Sequence, residues 1–317
     1  MMWKHKDLLG IKELTKDELL ELMTLAQDMK KRLLNRQIQE HLFYGNMTTL
    51  FYENSTRTKH SFTVAGQNVG LMVSDLGLST SSIKKGESLY DTALTIDQMG
   101  TDIIVMRHSS SGAAHYVAEN VNASVINAGD GTNEHPTQAL LDCMTIMEEK
   151  GDFEGLKVCI AGDIINSRVA RSNIYALNKL GAKVTLTGPT TLVPKGMASL
   201  GAEVNYNIKD AVKDADVVMG LRIQLERQKS GAFPDLREYG NLFGINEEIF
   251  AYAKPDAIIM HPGPVNRNVE LTSELIDAPY STINDQVTNG VAIRMAILTK
   301  LMEARKQGTS KDIRRII

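Results

Sequence analysis

The sequence lacks the features of secreted, membrane-spanning and disulfide-stabilised proteins. Its two cysteines, Cys143 and Cys159, have no spacing typical of a disulfide framework or a metal site, so we expect buried thiols in a reducing compartment. No apolar run approaches the roughly 20 residues of a membrane helix, and the first residues contain no apolar segment of a secretory signal. We expect a cytoplasmic protein that does not bind a membrane.

An excess of charge and the usual cofactor motifs are also missing. Lys and Arg total 35 against 38 for Asp and Glu, a net charge of -3, so we expect no binding of nucleic acid. Gly162 ends a strand-like run, yet no G-x-G-x-x-G follows it, and there is no phosphate-loop or zinc-protease motif. We therefore expect no metal and no bound cofactor.

What the sequence does contain is a regular alternation of strand-like and helical runs. With 317 residues, 43% of them hydrophobic, the chain can bury a large core and form two domains. The alternation predicts an α/β protein with two doubly wound parallel-sheet domains and the active site in the cleft between them. We assign residues 1–135 and a C-terminal helix at 286–305 to the first domain, 136–285 to the second and 306–317 to a tail. In the second domain we expect a long polar loop at about 222–244.

The stretch Ser55-Thr56-Arg57-Thr58 lies where a strand-like run gives way to an amphipathic helical run. Backbone N–H groups and the positive end of the helix dipole favour an anion there, above all a phosphate. Arg57 adds a guanidinium that can bind two oxygens at once. An ordinary helix cap is the alternative, because Ser and Thr are common at that position. The arginine favours the anion site.

Further polar side chains follow other predicted strands, which is where parallel sheets bind their ligands. They are Arg107, His135 and Gln138 after strands of the first domain, and Arg168, Arg222, Gln224 and the turn 261–264 after strands of the second. Arginines at corresponding strand ends of two domains predict a cleft that binds two anions.

These motifs, in this order, resemble those of the aspartate/ornithine carbamoyltransferase family over about residues 5–305. Besides S-T-R-T they are Lys84-Lys85-Gly86-Glu87, Met106-Arg107-His108, His135-Pro136-Thr137-Gln138, Ser167-Arg168-Val169-Ala170-Arg171-Ser172, Leu221-Arg222-x-Gln224-x-Glu226-Arg227 and His261-Pro262-x-Pro264. The resemblance implies transfer of the carbamoyl group of carbamoyl phosphate to the amino group of an amino acid.

Within the family, the resemblance favours L-aspartate as the acceptor, a step of de novo pyrimidine biosynthesis. The ornithine branch carries a cysteine in an H-C-L-P motif, where this chain has Pro262, and lacks the K-K-G-E loop. Arg168 and Arg222 also suit the two carboxylates of a dicarboxylic amino acid. Carbamoylation of ornithine or another amino acid is an alternative, and so is a relative that binds small anions without catalysis.

The resemblance also implies a role for each motif residue. Carbamoyl phosphate contacts are implied for Ser55, Thr56, Arg57, Thr58, Ser81, Lys85, Arg107, His135, Gln138, Pro262 and Gly263. Aspartate contacts are implied for Lys85, Arg168, Arg222 and Gln224. Catalysis is implied for Arg57, Thr58, Lys85, Arg107 and His135. No side chain is an evident general base, so we hypothesise that the departing phosphate accepts the proton of the amine.

The loop that carries Ser81 and Lys85 has a special place in this family, because it reaches the active site of a neighbouring subunit. The resemblance therefore implies a homotrimer with shared active sites. Whether regulatory or dihydroorotase chains join that trimer stays open.

Some positions depart from the family pattern or carry predictions of their own. The departures are Lys59 for arginine, Asn166 for histidine or tyrosine, and Gly263 for leucine or alanine. Glu53 is either a solvated carboxylate or a partner of Arg168 or Arg227 when the domains close. We also expect a cis peptide bond before Pro264, because X–Pro bonds adopt the cis form at modest cost in tight turns.

Overall fold

The computed structural model of the protein describes residues 3–37, 43–77, 86–224 and 235–312. The chain divides into two compact units. Unit 1 comprises Met1–Thr137 and Asn289–Ile317, and unit 2 comprises Gln138–Thr288. Within the described ranges, no helix combines the length and the apolar character needed to cross a bilayer.

Unit 1 is built on a parallel sheet of four strands with helices between them. Its elements in chain order are α1 (Lys16–Leu34), β1 (Asn46–Phe51), α2 (Thr56–Asn68), β2 (Met72–Gly77), α3 (Leu89–Gln98), β3 (Ile103–His108), α4 (Ala113–Asn120) and β4 (Ser124–Asp130). The strand order is β2-β1-β3-β4, so the chain first builds outward on one side of β1 and then on the other. This reversal makes the sheet doubly wound, as predicted, with a switch point between β1 and β3.

Unit 2 repeats the principle with five parallel strands. After α5 (Pro136–Lys150), which begins in unit 1, its elements are β5 (Lys157–Gly162), α6 (Arg168–Leu180), β6 (Lys183–Thr187), β7 (Glu203–Val204), α7 (Ile208–Val212), β8 (Val217–Leu221), α8 (Leu236–Phe243), α9 (Glu247–Phe250), β9 (Ile258–Met260) and α10 (Ser273–Ile276). A 3-10 helix lies at Lys195–Leu200, and the final helix, α11 (Ile283–Asp312), ends in unit 1. The strand order β7-β6-β5-β8-β9 places a second switch point between β5 and β8.

Strands of both sheets are buried along their whole length, so their sequences do not alternate between apolar and polar residues. All residues of β4 and of β8 are buried, as expected for parallel strands covered by helices on both sides. In unit 1, Leu50, Ile104 and Met106 pack against Ala114 and Val117 of α4. The polar side chains therefore collect at the strand ends, where the chain leaves the core.

The predicted polar loop at 222–244 is wrong in its last part, because α8 begins at Leu236. The Asp235 side chain caps this helix by accepting a hydrogen bond from the Glu238 backbone N–H at 2.8 Å. Tyr239 is 2% exposed and anchors the helix in a small cluster with Leu192 and Ile223. The signal was an acidic cap followed three residues later by glutamate, a common start of a helix.

Two helix ends also differ from expectation. The helical run after β1 is predicted to open at Thr58, but α2 begins at Thr56, because Ser55 already has the extended backbone of a cap, with φ -158° and ψ 95°. α11 continues past the predicted end at Arg305 to Asp312, through residues that we expected to form a tail. The single glycine at 308 costs a helix only about 1 kcal/mol, which is too little to end a helix of 30 residues.

Candidate active site

The N-terminus of α2 carries the predicted phosphate motif. Ser55 is the cap residue, and its side chain makes no capping hydrogen bond. Thr56, Arg57 and Thr58 form the first turn, which contains no acidic side chain. Thr56 and Arg57 are exposed, and Ser55 and Thr58 are half-buried. The alternative of an ordinary capping serine thus loses its main support, and the helix end offers donors and positive charge to an anion.

Arg107 lies at the switch point of unit 1, directly beside the end of β1. In the β1–β3 register it pairs with Phe51. Its Nε donates a hydrogen bond to Glu53 Oε2 at 3.2 Å, and its Nη1 donates to the Ala128 carbonyl at 3.5 Å. Glu53 is therefore an ion-pair partner of Arg107, whereas the predicted pairing of Glu53 with a second-domain arginine stays a prediction.

His135 follows β4 and is 4% exposed. Its Nδ1 lies 3.5 Å from the Thr137 hydroxyl. Burial lowers the pKa of His135 well below its ordinary value, and the nearby cations Arg107 and Arg294 lower it further. The imidazole is therefore neutral at neutral pH, and it can donate a hydrogen bond to a developing negative charge without first giving up a proton.

A buried polar network that the sequence did not reveal holds the loop before His135. Asp130 accepts hydrogen bonds from Asn127 Nδ2 at 2.7 Å and from the Gly112 N–H at 2.6 Å. Glu134 Oε2 accepts from the Ile11 N–H at 2.8 Å. The sequence signal for an ordered turn was the run Asp130-Gly131-Thr132-Asn133. Asp, Asn and Gly are common in turns, and Asp and Asn side chains hydrogen-bond to nearby backbone groups.

Arg294 is a second component of unit 1 that the sequence reading missed. It is 3% exposed in α11. Its Nη1 donates to the Ser61 hydroxyl at 2.8 Å, its Nη2 donates to the Thr137 hydroxyl at 3.4 Å, and its guanidinium lies 4.9 Å from the centre of the Phe62 ring. The signal was an arginine within the apolar run V-A-I-R-M-A-I-L, since a buried cation needs partners.

In unit 2, Arg168 and Arg222 follow the two strands that border the switch point. β5 and β8 are neighbours, with Gly162 opposite Leu221. Arg168 is the first residue of α6 and is 4% exposed, and Arg222 follows β8 directly and is half-buried. The structure thus brings these two predicted arginines to neighbouring strand ends of one sheet.

The loops that carry these arginines are joined by a fully buried carboxylate, Asp163. It accepts hydrogen bonds from Asn166 Nδ2 at 2.9 Å and from the Gln224 N–H at 3.2 Å. Gln224 Nε2 donates to the Asn166 carbonyl at 3.1 Å. Asn166, which departs from the family pattern, therefore links the two loops.

A second buried carboxylate, Glu270, fixes the backbone between Arg222 and Gln224. Its Oε1 accepts from the Ile223 N–H at 2.8 Å and from Asn266 Nδ2 at 2.7 Å. Burial raises the pKa of the Glu270 carboxyl above its ordinary value, and these hydrogen bonds oppose that rise. No pattern in the sequence indicates this role.

The turn after β9 contains the predicted Pro262 and Gly263. The Gly263–Pro264 peptide bond is cis, which confirms that prediction. Within the turn, the Gly263 N–H donates to His261 Nδ1 at 2.8 Å. Gln138, also in unit 2, is 8% exposed and donates from Nε2 to Asp142 Oδ1 at 2.9 Å.

Two predicted site residues, Ser81 and Lys85, lie outside the described residues, as does Arg227. Among the residues that are described, no cluster of histidine, cysteine, aspartate or glutamate has the arrangement of a metal site. The described candidates form one cationic group at the strand ends of each unit.

Comparison with known proteins identifies the family. Residues 6–148 match the model of the aspartate/ornithine carbamoyltransferase carbamoyl-phosphate-binding domain, and residues 154–301 match that of the aspartate/ornithine-binding domain. The aspartate carbamoyltransferase catalytic subunit of Caldanaerobacter subterraneus is 57% identical over 300 residues, which are 95% of this chain and 99% of the relative. The chain belongs to the aspartate/ornithine carbamoyltransferase family.

Solved structures of carbamoyltransferases share this fold. Aspartate transcarbamoylase from Trypanosoma cruzi, in complex with carbamoyl aspartate and phosphate, has a TM-score of 0.83 at 30% identity and covers 93% of this chain and 96% of its own. Ornithine carbamoyltransferase from Pyrococcus furiosus has a TM-score of 0.85 at 30% identity and covers 96% and 99%. Both acceptor branches of the family therefore share this backbone, so the fold does not distinguish aspartate from ornithine.

Proposed function

We propose that this chain transfers the carbamoyl group of carbamoyl phosphate to the amino group of L-aspartate, giving N-carbamoyl-L-aspartate and phosphate. The observation that carries the proposal is the 57% identity, over nearly the whole length of both chains, to a catalytic subunit of aspartate carbamoyltransferase. The cationic strand ends of the two units support it independently. The product belongs to de novo pyrimidine biosynthesis.

Unit 1 supplies the contacts to the phosphate of carbamoyl phosphate, and the resemblance assigns its carbamoyl amino group to Gln138 and to the Pro262 and Gly263 carbonyls of unit 2. The hydroxyls of Ser55, Thr56 and Thr58 and the first-turn N–H groups of α2 bind the phosphate, and the Arg57 guanidinium binds two of its oxygens. Arg107, held by Glu53, adds a second cation from the neighbouring strand. The lack of an acidic side chain in the first turn of α2 suits this role, because a carboxylate there would repel the phosphate.

The carbamoyl carbonyl is activated by donors and not by a proton shuttle. As the aspartate amine attacks, the new C–N bond forms and the carbonyl oxygen gains negative charge. Thr58, Arg107 and neutral His135 donate hydrogen bonds to that oxygen, and such donors commonly contribute a few kcal/mol each. The C–O bond to phosphate then breaks, and the leaving phosphate takes the amine proton.

Unit 2 supplies the aspartate contacts. Arg168 and Arg222 bind the two carboxylates, and Gln224 adds an amide from the same loop as Arg222. Asp163 and Glu270 accept hydrogen bonds from the Gln224 and Ile223 N–H groups, so the backbone beside Arg222 keeps a fixed position before the substrate arrives. Two cations favour a dicarboxylic amino acid over ornithine, whose side chain is itself cationic.

The test is an acceptor assay. Purified protein is incubated with carbamoyl phosphate and either aspartate or ornithine, and phosphate release and the carbamoylated product are both measured. We expect turnover with aspartate. Preference for ornithine would place the chain in the other branch. No turnover, together with retained binding of a bisubstrate analogue that carries phosphonate and dicarboxylate groups, would identify a non-catalytic anion-binding relative.

Paired arginine variants test which unit binds which substrate. We expect Arg222→Gln to raise KM for aspartate about tenfold or more, the equivalent of about 1.4 kcal/mol, and to leave KM for carbamoyl phosphate nearly unchanged. The control is Arg237→Gln, which neutralises an exposed arginine of α8. We expect Arg57→Gln to raise KM for carbamoyl phosphate and to leave KM for aspartate nearly unchanged. Its control is Arg36→Gln, which neutralises an exposed arginine. Equal effects on both substrates would contradict the assignment.

Four parts of the proposal rest on the resemblance to the family. They are the homotrimer, the sites shared through Ser81 and Lys85, the cytoplasmic location and any regulatory or dihydroorotase chains. Shared sites are tested by mixing Lys85→Ala chains with Arg57→Ala chains, each inactive alone. Activity in the mixture supports a site completed by two subunits. A mixture as inactive as its components would refute it.

A further inference from the structure

Asp142 is a buried carboxylate that the proposed reaction does not use. It lies in α5, one turn after Gln138, and is 0% exposed. Its two oxygens accept hydrogen bonds from three side-chain amides, namely Gln138 Nε2 at 2.9 Å, Asn173 Nδ2 at 2.8 Å and Gln286 Nε2 at 2.7 Å. All these residues belong to unit 2. A buried carboxylate is costly unless it is hydrogen-bonded in this way.

An ionised carboxylate accepts hydrogen bonds and cannot donate them, so it fixes the orientation of every amide that contacts it. Gln138 must turn its NH2 group to Asp142, which leaves its carbonyl oxygen as the end that faces other partners. Gln286 must do the same, and its Oε1 accepts from the His261 N–H at 2.9 Å. His261 in turn accepts from the Gly263 N–H at 2.8 Å.

The Asp142 carboxylate therefore determines the orientation of two elements that the proposed function assigns to the carbamoyl amino group. It orients Gln138 directly, and it orients the turn with Pro262 and Gly263 through Gln286 and His261. The groups these elements offer are the Gln138 side-chain oxygen and the carbonyl oxygens of the turn, and all of them accept hydrogen bonds. A carbamoyl NH2 group brings two N–H donors, whereas the methyl group of acetyl phosphate brings none.

We propose that Asp142 is a positioning residue that makes the site selective for an acyl phosphate bearing an NH2 group. The proposal rests on the proposed function, because it assumes that Gln138 and the turn contact the carbamoyl group. A site built to hydrogen-bond one group rejects an analogue that lacks it, because the polar groups of the site are then left without partners. Asp142 contacts no substrate itself and acts only by fixing which end of each amide is presented.

The test compares binding of carbamoyl phosphate and acetyl phosphate, each alone, to the wild-type protein and to Asp142→Asn. The carboxamide has the same size, but one of its ends now donates. Gln138 and Gln286 both donate to Oδ1, and Asn173 donates to Oδ2. Asn173 Nδ2 also donates to the Val169 carbonyl at 3.1 Å, which opposes a turn of Asn173, so the NH2 end of the new amide meets a donor on either side. We expect carbamoyl phosphate to bind about tenfold to a hundredfold more weakly and acetyl phosphate to change by less than about twofold. An equal loss for both ligands, or no loss for carbamoyl phosphate, would overturn the proposal.

Two further variants separate orientation from structural damage. Asn173→Ala removes one amide from the same carboxylate without turning Gln138 or Gln286, and we expect it to leave the preference for carbamoyl phosphate unchanged. In the double variant Asp142→Asn/Asn173→Asp, the new carboxylate accepts from the amide introduced at position 142, so the oxygen of that amide again faces Gln138 and Gln286. We expect this double variant to recover the preference, even if the single variant fails to fold. A double variant that folds without the preference would refute the role of Asp142.

The proposed function can fail separately. Wild-type protein that prefers carbamoyl phosphate over acetyl phosphate but forms no carbamoylaspartate would contradict the proposed reaction and leave the Asp142 test intact. Wild-type protein without any preference between the two phosphates would contradict the contact between Gln138 and the carbamoyl group, and the role of Asp142 with it.

Discussion

His135 should make the protein less stable as the pH falls below the ordinary pKa of histidine. Burial, Arg107 and Arg294 all lower the pKa of His135 in the folded protein, whereas the unfolded chain keeps the ordinary value of about 6.5. Between these two values the unfolded chain binds a proton that the folded protein does not. Stability is therefore fully present above about pH 6.5 and is lost as the pH falls from there towards the lowered pKa of the folded state.

The size of the effect follows from proton linkage. Each full pH unit in that window lowers the free energy of unfolding by about 1.4 kcal/mol for one such histidine. This is a large part of a typical total of about 5–15 kcal/mol. Because His135 is 4% exposed, solvent screening does little to reduce the effect.

The assay is denaturant unfolding at about pH 7.5 and about pH 5.5, at one protein concentration, for wild type and for His135→Gln. Other titrating groups contribute equally to both proteins, so the difference between the two pH effects isolates His135. On acidification, we expect the free energy of unfolding to fall further in wild type than in the variant, by about 1 kcal/mol or more. His60→Gln, which removes an exposed histidine, is the control.

An equal loss in wild type and His135→Gln would refute the reasoning. It would mean that the buried imidazole takes up its proton together with the unfolded chain, and that His135 does not enter the reaction as a fixed neutral donor. A smaller loss in His60→Gln than in wild type would show that the assay does not isolate one site.

Three further predictions concern two positions beside the candidate site and one helix cap. Arg294→Met removes a cation near His135, so we expect the pKa of His135 to rise towards its ordinary value in an NMR titration. Glu270→Gln turns an NH2 group towards the Asn266 N–H, which Glu270 Oε2 accepts at 2.9 Å, and we expect KM for aspartate to rise more than KM for carbamoyl phosphate. Thr15→Ala removes the cap of α1 and should lower the free energy of unfolding by about 1 kcal/mol without changing kcat.

Each of these predictions has an outcome that contradicts it. A His135 pKa that stays unchanged in Arg294→Met would mean that burial and Arg107 alone account for the shift. For Glu270→Gln, an equal rise of both KM values would indicate general damage rather than a misplaced aspartate loop. Thr24→Ala is the control for Thr15→Ala, because Thr24 lies within α1 and its hydroxyl donates to the Leu20 carbonyl of the same helix. An equal effect of both variants would argue against a capping role.

The fold was predictable because its signals are local and repeated. Strand-like runs alternate with helical runs, and that pattern suffices for two doubly wound sheets. The predictions that failed, a missed helix and two helix ends, depend on single residues. α8 lies in a stretch that reads as a polar loop, and only the cap formed by Asp235 and the burial of Tyr239 reveal it. Helix ends such as Thr56 depend on the backbone angles of one cap residue, which periodicity cannot give.

For the candidate site, the sequence predicts residues for ligand contacts but not the residues that hold their loops. Arg57, Arg107 and Arg222 stand out because arginines recur where predicted strands end in both domains, and their ligand contacts stay predictions. Asp142 and Glu270 are invisible in the sequence, because a carboxylate in a helix or loop is usually a solvated side chain. Only tertiary structure shows that their partners are side-chain and backbone amides brought in from distant segments.

The discontinuity of unit 1 has a consequence for the order in which the protein is made. Unit 2 is one continuous segment, whereas unit 1 needs residues from both ends of the chain. Lys300 pairs with Glu21 across 279 positions, and Arg294 bonds to Ser61 across 233. During synthesis, unit 2 has all its strands before the ribosome has made α11, while the β1–β4 sheet must wait without its last helix. The predicted phosphate motif is translated before unit 2, whereas Arg294, which lowers the pKa of His135, is translated after it.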